Sequence, residues 1–136
     1  MDLAIGTPIT PYRVRPSTVG LFRFSAATWN AHRVHYDAGH AAAEGYPGVL
    51  VQSHLHGCYL LDAVLAWAGP AATPRRFSWQ NRGIAVAGDV LTVTGTVTAV
   101  DDDPQGGRRS VTVQLTEHNQ RGELCAPGRA VVAMPL

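Results

Sequence analysis

Residues 51–67 read VQSHLHGCYLLDAVLAW, the longest stretch of the chain that keeps one period. Leu55, Tyr59, Leu60, Val64 and Trp67 recur at helical offsets, and GPAATP at 69–74 closes the run. The spacing predicts a mostly buried central helix. Beyond Pro74 the period changes to alternation: RRFSWQNRGIAV (75–86), DVLTVTGTVTAV (89–100), RRSVTVQLTEHN (108–119) and ELCAPGRAVVAMP (123–135), each bounded by Gly, Asp or Pro. The turns AGD, DDDPQGG and NQRGE are short, which predicts four neighbouring strands in an antiparallel meander.

Upstream of the helix the pattern is more broken. Residues 1–16 place Gly6, Pro8, Pro11 and Pro16 between short apolar pieces, as an extended entry strand interrupted by prolines would. Ser17 and Thr18 are N-cap candidates for a short helix to about Thr28, with Val19, Phe22 and Ala26 at helical spacing. Asp37 caps a second short helix, AGHAAAE, which Gly45 ends, and EGYPG (44–48) makes a turn. The result is an α+β chain with a five-stranded antiparallel sheet around one central helix. No repeat, linker or low-complexity tract divides residues 1–136, so one domain is expected.

Composition excludes several functions. The 136 residues, 46% of them hydrophobic, suffice for one sizeable core. Eleven basic against ten acidic residues leave no single-sign field for nucleic acid or an anionic membrane. Every basic residue is Arg, so lysine Schiff-base chemistry is excluded, whereas Arg suits phosphate recognition. Cys58 and Cys125 lack metal or disulfide-framework spacing and are expected to be buried reduced thiols. Neither a signal-peptide pattern nor a membrane-length apolar run is present, and a cytoplasmic protein is expected.

Between the two short helices lies TWNAHRVHYD (28–37), too polar for a core strand and too aromatic for a solvent loop. LFRFSA (21–26), NAHRVHYD (30–37) and EGYPG carry a resemblance to the MaoC-type hot-dog dehydratases and hydratases, in the branch of hydroxyacyl-thioester dehydratase type 2 and mesaconyl-CoA hydratase. A weaker likeness continues to NQRGELCAPGRAVV (119–132). The resemblance implies a single hot-dog domain, a curled antiparallel sheet wrapped around one long helix, acting on acyl thioesters. In MaoC-type hydratases a D-x-N-P-x-H-x-D segment sets an Asp and a His around one water. His35 falls on that His and Asp37 on the final Asp, while Asn30 stands in place of the catalytic Asp and His32 in place of Asn. The named branch is similar in having N-x-H-R-x-H-Y-D.

A neutral imidazole can take a proton from water and return it to carbon, the role expected of His35. A carboxamide cannot act as a base, but its oxygen can aim a water, the role expected of Asn30. Free N–H groups at the start of the central helix favour an oxygen gaining negative charge. Gln52 and Ser53, where the family has His-Gly, are therefore expected to polarise the thioester carbonyl. Gln52 either donates through its amide as well or is a surface residue. His32, Tyr36, Tyr46, Gly48 and His56 are expected around the substrate pocket, the tyrosines as wall or as proton donors. His40 is expected to be inert. The pairs His32/His35 and His54/His56 have spacings open to a metal, but no further ligands are evident and none is expected. Arg75, Arg76 and Arg82, with Arg108 and Arg109, either hold the phosphates of coenzyme A or a carrier arm, or solvate a sheet edge. Small residues near the helix, Gly57 and Ala63, leave room for an acyl tunnel.

The expected function is reversible hydration of an enoyl thioester, or dehydration of the matching 3-hydroxyacyl thioester on coenzyme A or a carrier, with no cofactor beyond the substrate's own carrier. Two alternatives remain open. One is a non-catalytic hot-dog subunit that shapes the tunnel of a heteromeric dehydratase. The other is a thioesterase, for which Glu44 and Asp62 are the acids near the motif. The resemblance implies a homodimer, a higher oligomer or a heteromer with a sibling chain.

Overall fold

The computed structural model describes residues 3–136, and the first two residues of the expected entry strand lie outside them. In chain order the elements are β1 (Tyr12–Val14), α1 (Thr18–Thr28), a 3-10 turn (Arg33–His35), α2 (Ala38–Ala43), α3 (Ser53–Ala68), β2 (Thr73–Trp79), β3 (Leu91–Asp103), β4 (Arg108–His118) and β5 (Leu124–Pro135). The strands form one antiparallel sheet in the order β1-β3-β4-β5-β2. It curls around α3, which packs against β2, β3, β4 and β5. This is the hot-dog architecture that the sequence predicts.

The core follows from the two periods meeting. α3 contributes Leu60, Ala63 and Val64. Alternation along β4 sends Val111, Val113 and Leu115 inward, joined by Leu91, Val93 and Val97 of β3 and Ala130 and Val132 of β5. Register shifts at Val97/Ala99 and at Glu117/His118 mark bulges, which add local twist to the strands. The N-terminal segment runs beside β3, with Ile9 N–H on Gly95 O and Val97 N–H on Thr7 O. Pro8 and Pro11 have no N–H to give, and the regular pairing there shrinks to the three residues of β1.

Four expectations need correction. Only β3, β4 and β5 form the meander. β2 crosses to the far edge and pairs with β5, because residues 80–88 leave the strand and bond elsewhere: Arg82 N–H to Cys125 O, Val51 N–H to Ala85 O and Ala87 N–H to Val49 O. The buried face of α1 is Leu21 and Ser25, while Val19 and Phe22 are exposed. Of the cysteines, Cys125 is buried but Cys58 is exposed. The space beside Gly57 is filled by Trp79, since an added Cβ would meet that ring at 2.8 Å, and Ala63 lies in the core, so neither opens a tunnel.

Candidate active site

α1 ends on Trp29, a non-glycine residue in the left-handed region (φ 57°), and the chain turns sharply there into Asn30. Asn30 Oδ1 accepts the His32 N–H at 3.3 Å. The 3-10 turn follows and is held by Asp37, which caps α2 through His40 N–H at 3.0 Å and takes the Arg33 guanidinium at 2.6 Å. Those contacts, the His40 N–H first and then Arg33, hold the Asp37 carboxyl below its ordinary range. The segment is thus a braced turn, and its product is the placement of His35.

His35 is 9% exposed. Its Nδ1 lies 2.8 Å from Leu50 O. A carbonyl only accepts, so Nδ1 carries the hydrogen and Nε2 of the neutral ring is left with its lone pair. Burial pushes the imidazole below its ordinary value, His32 lowers it further, and the Leu50 carbonyl opposes both. At neutral pH His35 is an uncharged base.

A cleft of about 230 Å³ joins His32, His35, Glu44, Tyr46, Ser53, His56 and Asn81, with Val34, Leu50, Val51 and Ile84 as apolar wall. Of the expected residues it gathers His35, His32, Tyr46, Ser53 and His56. Ser53 stands at the first turn of α3, where backbone N–H groups have no intrahelical partner, and its Oγ accepts a hydrogen bond from Asn81 Nδ2. Asn81 lies in a stretch expected to be strand, which is why it was missed as a cleft residue.

Asn30 and Tyr36 line a different, apolar groove with Phe22, Ala26 and Trp29. Tyr36 gives its hydroxyl hydrogen to Ala31 O at 2.8 Å and packs edge-on against Phe22. Within one chain Asn30 therefore does not share the cleft of His35, and the expected aiming of a water between them is not met in this arrangement. Gly48 packs on Val86 and is not a wall residue. Gln52 is neither a surface residue nor an amide donor to substrate. It is fully buried, and its Nε2 is spent on Leu21 O at 2.7 Å and Ser25 Oγ at 2.9 Å, tying α1 to the start of α3.

The remaining histidines divide. His54 packs edge-on against Trp79 while His56 turns inward, so those two cannot share a metal. His32, His40 and Glu44 place donor atoms within 4.8 Å of one another. The His40–Glu44 contact of 2.9 Å is an i,i+4 pair at the end of α2 and gives His40 a partner, while His32 Nε2 lies 3.9 Å from the same carboxylate. For the thioesterase alternative, Glu44 is in the cleft and Asp62 is not.

The arginines lie outside this cleft. Arg82, gripping Gln80 Oε1 at 2.7 Å, and Arg129 flank a groove of about 320 Å³ with Gln114 and Trp79. Arg75 and Arg76 are exposed on the edge strand β2. Arg108 is tied to Ala71 O and Ala133 O, and Arg109 to Asp102.

Comparison with known proteins decides the family. Residues 7–87 match the family model for hydroxyacyl-thioester dehydratase type 2. The chain belongs to this family. Its hot-dog fold is shared with distant solved structures. It superposes on the (R)-hydratase of A. caviae involved in PHA biosynthesis with TM-score 0.86 and 23% identity over 98% of both chains. The ChsH1-ChsH2 complex of Mycobacterium tuberculosis gives TM-score 0.85 and 23% identity over 98% of this chain and 99% of that one. Among curated sequences the chain resembles the mesaconyl-C(4)-CoA hydratase of Chloroflexus aurantiacus, 54% identical over 43 residues. That match spans 31% of this chain and 15% of the relative's length.

Proposed function

We propose that the chain is a hydro-lyase for acyl thioesters, interconverting an enoyl thioester and its 3-hydroxyacyl form, with His35 as the base. The observation that carries this is the His35 ring: Nδ1 fixed on Leu50 O, Nε2 without a hydrogen bond among the described residues, desolvated in a cleft that also holds a helix N-terminus. As a water adds to the β-carbon, Nε2 of His35 takes its proton. The π electron pair moves to the thioester oxygen, and the free N–H groups at Ser53 face the charge that develops. The enolate pair then forms a C–H bond at the α-carbon with a proton drawn from solvent, His35 returns its proton to solvent, and dehydration is the reverse. No metal or redox step is required.

The braced turn at Asn30–Asp37 supports this role by holding His35 against the cleft. Coenzyme A or a carrier arm would be met by Arg82 and Arg129 in the neighbouring groove, with Arg75 and Arg76 beyond. A second chain would complete the cleft, as a homodimer or beside a sibling. The ChsH1-ChsH2 relative, named as a complex of two chains, and Asn30 in place of an acid favour keeping the sibling arrangement as the second reading.

Incubating the purified chain with crotonyl-CoA in heavy-oxygen water tests the proposal. The expected product carries one solvent oxygen in the acyl chain with the thioester intact. Release of free coenzyme A thiol would reassign the chain as a thioesterase, and no turnover by folded protein would transfer the reading to the sibling arrangement.

A further inference from the structure

Alternation along β4 puts Val111, Val113 and Leu115 in the core, and the next inward position is Glu117, fully buried. Its Oε1 is hydrogen-bonded to Nδ1 of His56, itself 2% exposed. Among the described residues the other carboxylate oxygen has no hydrogen-bond partner. Burying two ionisable groups is costly, and such a pair is a poor device for stability alone. Burial and then the Glu117 charge push the Tyr59 hydroxyl up to about 12 and the Cys125 thiol up to about 11.

The pair has an outlet. His56 lines the cleft that holds His35, and among the described residues its Nε2 makes no hydrogen bond. Glu117 fixes the ring with Nδ1 toward the core and Nε2 toward the cleft, as a carboxylate does for an imidazole that moves protons. The cleft thus contains two imidazoles whose inner nitrogens are held by Leu50 O and by Glu117, and whose outer nitrogens make no hydrogen bond among the described residues. Asn30, by contrast, cannot titrate and opens on another groove.

We propose that His56, positioned by Glu117, is the second proton-transfer group of this cleft, acting at one end of the substrate's reacting carbons while His35 acts at the other. The proposal rests on the hydro-lyase reading. In hydration, His35 Nε2 takes the proton of the attacking water, the C–O bond forms and the π pair goes to the thioester oxygen. Protonated His56 then gives its Nε2 hydrogen to the α-carbon, and the enolate pair forms the C–H bond. His35 is left protonated and His56 neutral, and proton exchange through solvent restores both. Dehydration runs the same steps backwards.

Three variants and one binding measurement test this with crotonyl-CoA. His56→Gln is expected to lower kcat by about 100-fold, the lower range for a general acid or base, with KM within about threefold. Because that change strands a buried carboxylate, the double variant His56→Gln with Glu117→Gln is measured beside it and is expected to show the same kcat loss with a recovered melting temperature. Glu117→Gln alone, which keeps an acceptor for Nδ1, is expected to lose kcat but not substrate affinity. Independently of turnover, titrating nitrogen-15-histidine-labelled native protein with the inert butyryl-CoA is expected to shift the Nε2 resonances of both His35 and His56. A folded double variant within about threefold of native kcat, or a butyryl-CoA response at His35 alone, would overturn the role of His56 while leaving the hydro-lyase reading standing. Absence of both turnover and response at either ring would overturn the two together.

Discussion

At the scale of single residues, the account turns on how His35 is protonated. Burial disfavours its charged form, so its folded value lies below that of the unfolded chain. The unfolded state binds the proton first as pH falls, and stability therefore declines as pH drops through about 6.5, flattening only below the folded value. His35→Gln is expected to remove part of that decline, measured as melting temperature from pH 7.5 down to pH 5; an unchanged slope would place the ring in a more solvated setting than the structure shows. The candidacy of His35 was legible because NAHRVHYD resembles a known motif. The direction of its ring was not, since the Leu50 carbonyl that sets it comes from the turn after EGYPG. Gln52 was illegible for a related reason: its partners Leu21 and Ser25 belong to a helix whose inner face the spacing of Val19, Phe22 and Ala26 misplaced. Glu117 had a readable signal, the inward parity it shares with Leu115, but an acid in an alternating strand passes easily for a surface residue.

At the scale of elements, two local devices hold the site. Ser17 caps α1 by accepting Gly20 N–H at 3.0 Å, and Ser17→Ala is expected to cost about 1 kcal/mol in chemical denaturation. Gly57 lets α3 close on Trp79. Gly57→Ala would push its methyl into the ring and is expected to cost about 1–3 kcal/mol by overpacking. A neutral Gly57→Ala would mean that Trp79 has room to move. The central helix was readable from its period, and so were the three long strands. β2 was misplaced because its partner choice is not a local property: the alternation of RRFSWQN says strand but not beside which strand. What decides it is the stretch after Trp79, whose N–H groups bond to residues 49 and 125 and so steer the chain under the helix start toward β3. That detour carries Asn81 and Ile84 to the cleft.

At the scale of the whole molecule, the sheet has β1 and β2 as its edges, and α1 and the turn after it expose Val19, Phe22 and Trp29, the last 90% accessible. Such apolar exposure is costly to leave in water. Light scattering on the purified chain is expected to give a dimer; a stable monomer would point to a sibling chain as the missing half. No described helix is long and apolar enough to cross a membrane. The family, the hot-dog fold and the location of the cleft follow from sequence and structure together, and the central claim is that His35 is the base of that cleft. The most direct test follows the conjugated enoyl-thioester absorbance of crotonyl-CoA with the native chain and with His35→Ala at equal concentration. The account predicts steady loss of the band with the native chain and a rate reduced about 100-fold or more in the variant. Equal rates, with both proteins shown to be folded, would contradict it.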